Sequence, residues 1–206
     1  MSLYGRYVVP RMIRRSCGVK PIMKQREKIV PQAHGRVLEI GAGGGFNIDY
    51  YDRRNVSEVV GLDTSAALME TTREKATAAG LAFKPLVLDA AHIPLEDRDV
   101  DTVLVTYTLC SIDRLHDALL EMRRVLKPDG QLLFCEHGAA PDPAVLRWQK
   151  RLTPLWRRIG GGCRLDRDLP GAIAAAGFTI NRLDHMYLPS TWRIVGYNRW
   201  GSAQPA

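Results

Sequence analysis

No run of this chain is apolar for long enough to cross a bilayer, and its opening Met1-Ser2-Leu3-Tyr4-Gly5-Arg6 lacks the apolar core of a secretory signal. A cytoplasmic protein is therefore expected. Cysteine is scarce and shows no pairing pattern. Cys17, Cys110, Cys135 and Cys163 form no C-x-x-C and have no histidine at zinc-ligand spacing, so four free thiols are expected, with no disulfide framework and no metal. Internal repeats and low-complexity tracts are missing, which excludes a repeat architecture, and only Gly201 to Ala206 reads as a disordered tail. What is present is ordinary: 206 residues, 46% hydrophobic and 25% charged, enough for one domain with a real core.

The net charge of +7 is unevenly spread. Residues 1–28 hold eight Lys and Arg against one Glu, residues 29–143 hold eleven against eighteen acids, and residues 144–206 hold ten against three. Both ends are basic around an acidic middle. The N-terminal segment mixes Tyr7, Val8, Val9, Met12 and Ile13 with Arg6, Arg11, Arg14 and Arg15, and Pro10 and Pro21 divide it into two short helices. Three readings stay open for this segment: a cap over a substrate pocket, a contact with an anionic membrane surface, or a helix with a solvated basic face packed on the domain edge.

The organising stretch is Val37-Leu38-Glu39-Ile40-Gly41-Ala42-Gly43-Gly44-Gly45-Phe46-Asn47. A short apolar run that ends in spaced glycines predicts a buried parallel strand turning into a helix N-terminus around a ligand. Glycine suits such a corner because a residue without Cβ takes positive φ and admits close approach of the backbone. The dinucleotide fingerprint requires a third glycine where Phe46 stands, so the corner departs from that pattern.

Downstream, Val56 to Asp63 reads as a second strand, and Asp63 lies at the distance from Gly41 where a strand-end carboxylate meets ribose hydroxyls. Ser65 to Ala79 reads as a helix stopped by Gly80. Ala82 to Ala91 supplies a third strand ending in Asp89, Val100 to Ser111 a fourth with its exit loop, Arg114 to Leu126 a helix, and Gln131 to Glu136 a fifth strand. Leu169 to Gly177 then predicts a helix, and Phe178 to Met186 with Trp192 to Trp200 an antiparallel edge hairpin.

The E-x-G-x-G-x-G run from Glu39 to Gly45, and the later R-R-V-L-K-P-D-G-Q-L-L-F ending at Phe134, resemble the class I S-adenosylmethionine-dependent methyltransferases. The likeness covers Val37 to His137; where the family usually has Gly, this chain has Asp129. Further pieces, T-L-C-S-I, C-E-H-G and G-G-C-R-L-D-R, are similar to the group containing alkyl-thiol S-methyltransferases and bacterial phosphatidylethanolamine-methyltransferase-like proteins. The implied fold is α/β: a Rossmann-like, seven-stranded, mostly parallel sheet with helices on both faces and an antiparallel C-terminal hairpin edge. Within a single domain 1–206, residues 1–30 form the N-terminal helical cap, 36–137 the cofactor core, 141–168 a lid insertion and 169–200 the last helix and hairpin.

The implied cofactor is S-adenosylmethionine. Its set is Glu39 near the amino group, the loop Gly41, Ala42, Gly43, Gly45 and Asn47, then Asp63 with Thr64, Asp89 with Ala90 at the adenine, and Thr106 and Thr108. Glu136 or His137 is a candidate proton acceptor and Tyr107 a candidate wall for the methyl group, since the ends of strands four and five lie beside such a site. Tryptophans and arginines between Pro141 and Asp168 suit a lid facing an anionic or lipid surface, or a helix pair docked on the sheet edge. The expected activity is methylation of a small or lipid-like acceptor, a thiol favoured, with phosphatidylethanolamine N-methylation as the alternative and RNA methylation behind it. No nucleic-acid partner is favoured, because the basic charge is split between the chain ends.

Overall fold

Val37-Leu38-Glu39-Ile40 and Val103-Leu104-Val105 run side by side near the middle of the sheet, as strands β1 (Gly35–Ile40) and β4 (Val100–Thr106), in the computed structural model, which describes residues 17–206. Both runs are continuously apolar but for Glu39, as parallel strands covered on both faces require. Outside β1 lie β2 (Val56–Asp63) and β3 (Phe83–Val87); outside β4 lie β5 (Leu126–His137), β7 (Tyr197–Pro205) and β6 (Phe178–Tyr187). The order β3-β2-β1-β4-β5-β7-β6 is the expected seven-stranded sheet, with β7 antiparallel to both its neighbours. Between β1 and β4 the chain's crossovers diverge, leaving a crevice beyond their carboxyl ends.

Successive residues of a strand face opposite sides of the sheet, so each strand feeds two cores. On one side Leu38, Val103, Val105 and Phe134 meet helices α3 (Leu115–Val125) and α5 (Leu169–Ala175) through Leu119, Met122 and Ile173. On the other, Val37, Leu104 and Leu133 meet Ile29 of α1 (Lys20–Ile29) and Ala76 of α2 (Ala66–Ala78). Helix α3 buries Leu115, Ala118, Leu119, Met122 and Val125, a single stripe at helical spacing, with Asp117 in its first turn and Arg123 and Arg124 in its last, both favourable to the helix dipole. Ser65 caps α2 by accepting from the Leu68 N–H. Pro21 stands in the first turn of α1, where a missing N–H costs nothing; the helix expected before it lies outside the described residues.

Several expectations need correction. The glycine corner does not open a helix: only a single 3-10 turn, Ile48–Tyr50, follows before the Asp52 to Asn55 turn enters β2. The side chains of Asn47 and Tyr51 are drawn back beneath Glu39, which fixes this short connection as a loop. Strand β3 ends at Val87, so Asp89 lies beyond it. The Lys127 to Gly130 turn belongs to β5 as an irregularity, because Val100 pairs with Leu126 and Thr102 with Gln131. Residues 141–168 hold one helix, α4 (Pro143–Ile159), which carries Pro154 inside it, and not a pair. A short helix, α6 (Arg193–Gly196), leads into β7.

The tail is also ordered. Gly201, Ser202 and Ala203 pair with Phe134, Leu133 and Leu132 of β5, and Ala203 is fully buried. Since β7 joins β6 to β5, it cannot be an optional strand. Deleting residues 201–206 should lower stability as much as a large core truncation, about 2–5 kcal/mol. A urea midpoint unchanged by the deletion would return these residues to the status of a loose tail.

Candidate active site

Beyond the carboxyl ends of β1, β2 and β4 lies a cavity of about 860 Å³. Its floor is the glycine corner. Gly41 has φ +74°, and a Cβ there would run into Thr108; a Cβ on Gly43 would run into the Asp63 carboxylate. The sequence places glycine where Thr108 and the Asp63 carboxylate pack against the backbone of the corner.

Beneath the corner is a buried polar network. Glu39, 2% exposed, accepts from Asn47 Nδ2 at 2.8 Å and from the Tyr51 hydroxyl at 2.7 Å. Asn47 also donates to Thr106 Oγ1 at 3.0 Å and accepts from Arg26 at 2.8 Å. Arg26, from α1, is 4% exposed, bonds the same Thr106 hydroxyl, and lies between the rings of Phe46 and Tyr107, 5.3 and 5.1 Å from their centroids. Its Nε has no hydrogen-bond partner among the described residues. Burial raises the Glu39 pKa against the lowering effect of its Tyr51 and Asn47 bonds. Arg26 and Glu39 both line the cavity, so a buried cation and a buried carboxyl face it together.

Asp63 closes the far side of the corner. Its two oxygens accept from the N–H groups of Gly43 at 3.0 Å and Ser65 at 2.9 Å. Burial raises its pKa, partly offset by those backbone bonds. A carboxylate offers about four acceptor directions, so capacity remains for hydroxyl donors in the cavity. Asp89 accepts from the Ala91 N–H at 2.8 Å and lines the cavity with Ala90.

Of the cofactor residues expected from sequence, Glu39, Gly41, Ala42, Gly43, Asp63, Thr64, Asp89, Ala90, Thr106 and Thr108 line the cavity. Gly45 and Asn47 do not. Gly45 faces α2 at Thr72 and Lys75, and Asn47 is wholly buried in the network that holds the floor. Of the catalytic candidates, only Tyr107 lines the cavity; its hydroxyl donates to Asn198 at 2.8 Å, and burial holds its pKa well above the usual phenol value. Glu136 lies behind the wall, where one oxygen accepts from the N–H groups of Thr108 at 2.6 Å and Leu109 at 2.9 Å. That bond set makes it the brace of the β4 exit loop, and burial pushes its pKa up to about 7. His137 turns toward Cys163, with Nε2 3.2 Å from its Sγ.

Arg26 is the residue that sequence reasoning passed over. It stands among Lys20, Lys24 and Lys28 in a basic helix, and nothing in the local pattern marks it as the one drawn inward. Both basic ends reach the cavity in the described residues, through Cys17 and Arg26 on one side and Gly161 on the other. Arg167 fastens the second of these by donating to the carbonyls of Leu109 and Ile112, and Arg157 pairs with Asp113 at 3.0 Å.

A family profile described as a methyltransferase domain matches residues 38–134. Thiol S-methyltransferase TMT1B of Rattus norvegicus is 32% identical over 81% of this chain and 69% of its own length. Thiol S-methyltransferase TMT1B of Homo sapiens is 30% identical over 95% and 82%. Among solved structures, a geranyl diphosphate methyltransferase in complex with SAM superposes with a TM-score of 0.72 at 15% identity, covering 89% of this chain and 85% of that one. The chain belongs to the class I S-adenosylmethionine-dependent methyltransferases, and S-adenosylmethionine is its cofactor.

The residues present fit that cofactor. Asp63 would take the ribose hydroxyls, and the cavity lined by Gly41, Ala42 and Gly43 would admit the chain between ribose and amino acid. The amino acid is a zwitterion, and the cavity lining would offer its complement: Glu39 for the ammonium, and the Arg26 guanidinium for the carboxylate. Asp63→Ala should weaken S-adenosylhomocysteine binding by about 10- to 100-fold, the loss of charged hydrogen bonds of about 1.5–3 kcal/mol. Calorimetry checks this alongside circular dichroism; unchanged affinity in a folded variant would move the ribose contact elsewhere.

Proposed function

We propose that the enzyme methylates the sulfur of a small or lipid-like thiol. Methyl transfer from a sulfonium is an in-line displacement, so the protein's main tasks are to align nucleophile, methyl and leaving sulfur and to exclude water, which supply roughly 7–11 kcal/mol at best. A thiol with a pKa near ~8.5 is partly thiolate at neutral pH and needs no strong base. A primary amine such as that of phosphatidylethanolamine is protonated there and must first lose a proton.

The observation that carries this reading is what the cavity's acids already do. Each carboxylate lining the cavity already has a partner: Glu39 accepts from Asn47 and Tyr51, Asp63 from the corner's backbone, Asp89 from the Ala91 N–H, and Asp113 is paired with Arg157; Glu136 lies behind the wall, one oxygen on the β4 exit loop and the other without a partner among the described residues. Among the described residues no carboxylate that lines the cavity is left unbonded beside Tyr107, an arrangement suited to an acceptor that ionises itself. The named activity of the rat and human relatives agrees with it.

The test is turnover with S-adenosylmethionine and matched alkyl thiols, amines and phosphatidylethanolamine vesicles, reading S-adenosylhomocysteine release and methylated product by mass spectrometry. Thiols should give thioether at rates that rise with pH up to the thiol pKa. Methylated phosphatidylethanolamine, with every thiol inert, would overturn the assignment.

A further inference from the structure

Cys110, His137 and Cys163 show no metal-ligand spacing in sequence, yet the fold brings them together. Cys110 follows β4, His137 ends β5, and Cys163 lies in the loop after α4, and their ligand atoms all fall within 4.8 Å of one another. Two loops and a strand end converge here, so no single element produces the grouping as a by-product. Cys110 is buried and the other two are partly buried.

A tetrahedral zinc, at about 2.3 Å from sulfur and about 2.0–2.1 Å from nitrogen, holds such atoms roughly 3.4–3.8 Å apart. His137 Nε2 and Cys163 Sγ are already 3.2 Å apart, and the widest pair needs to close by only about 1 Å, within side-chain adjustment. We propose that Cys110, His137 and Cys163 form a binding site for a thiophilic divalent cation of the zinc class. Two sulfurs and one imidazole are the donor set of a catalytic zinc centre, which keeps its fourth position open.

None of the three lines the cavity itself, but Ser111 and Gly161, close in sequence to Cys110 and Cys163, do, and so does Cys17. If the acceptor is a thiol, a step that rests on the function proposed above, a cation held by these three residues would supply a Lewis acid beside the wall and favour loss of the proton from the acceptor sulfur to solvent. That sulfur then attacks the methyl carbon as the old carbon–sulfur pair departs with S-adenosylhomocysteine.

Metal content of the full chain, purified without chelator, gives the first readout, and titration of chelator-stripped protein with Co²⁺ the second. Expected are about one zinc per chain and, with Co²⁺, thiolate-to-metal charge-transfer absorption together with tetrahedral visible bands. Cys163→Ser and Cys110→Ser should abolish both, while Cys135→Ser, a buried cysteine outside the cluster, should keep them. Wild-type protein that retains no zinc and shows no charge-transfer band with Co²⁺ overturns the site, whether or not the serine variants fold. Neither readout uses cofactor or acceptor, so their failure leaves the thiol reading to its own assay.

Discussion

The structure depends on one uncommon burial: Arg26 and Glu39 both lie within the protein, joined through Asn47 and Thr106. Buried charges cost several kcal/mol each unless paired and hydrogen-bonded, and removing one partner from such a set typically costs 3–5 kcal/mol. Here the pairing is indirect. The Asn47 amide passes one bond to Glu39 and receives one from Arg26, so the two charges stay separate at the cavity wall and do not cancel in a direct ion pair. That separation leaves one of each sign for the two ends of an amino acid. The same network holds the glycine corner down on β1 and joins α1 to the ends of β1 and β4, so cofactor recognition at Glu39 and Arg26 would share one set of bonds with local folding.

Around this point the sheet acts as a positioning frame. Continuous apolar burial of β1 and β4 fixes their register, and the register sets Asp63, Thr106 and Tyr107 at one rim. Glu136, on the next strand, spends its bonds on the backbone of the loop after Tyr107. Catalysis by alignment needs such bracing more than it needs a strong base, and the basic segments on either side supply further walls through Cys17, Arg26 and Gly161.

What was legible in the sequence was what is local. Apolar runs separated by turn residues gave the strands, and the glycine spacing gave the corner. Asp63 could be placed at the cavity because a strand-end carboxylate follows from a distance along the chain. The failures are tertiary. Asn47 looked like a ligand residue and is instead a buried bridge, because nothing local shows that Glu39 and Thr106 lie above and below it. Arg26 was indistinguishable from the lysines around it, and the Cys110, His137 and Cys163 group comes from two loops and a strand end far apart in sequence. The ordered tail was misread because Gly201 and Ser202 are poor strand formers; pairing on both sides overrides that preference.

The claim that the cavity wall separates its charges to match a zwitterion is tested most directly by calorimetry with two ligands on two proteins. S-adenosylhomocysteine and its decarboxylated analogue are titrated into the wild type and into Arg26→Gln. If Arg26 receives the carboxylate, the wild type binds S-adenosylhomocysteine at least about tenfold more tightly than the analogue, a difference of about 1.4 kcal/mol, and the variant loses most of that preference. An equal preference in both proteins would contradict the account and leave Arg26 as a structural cation alone.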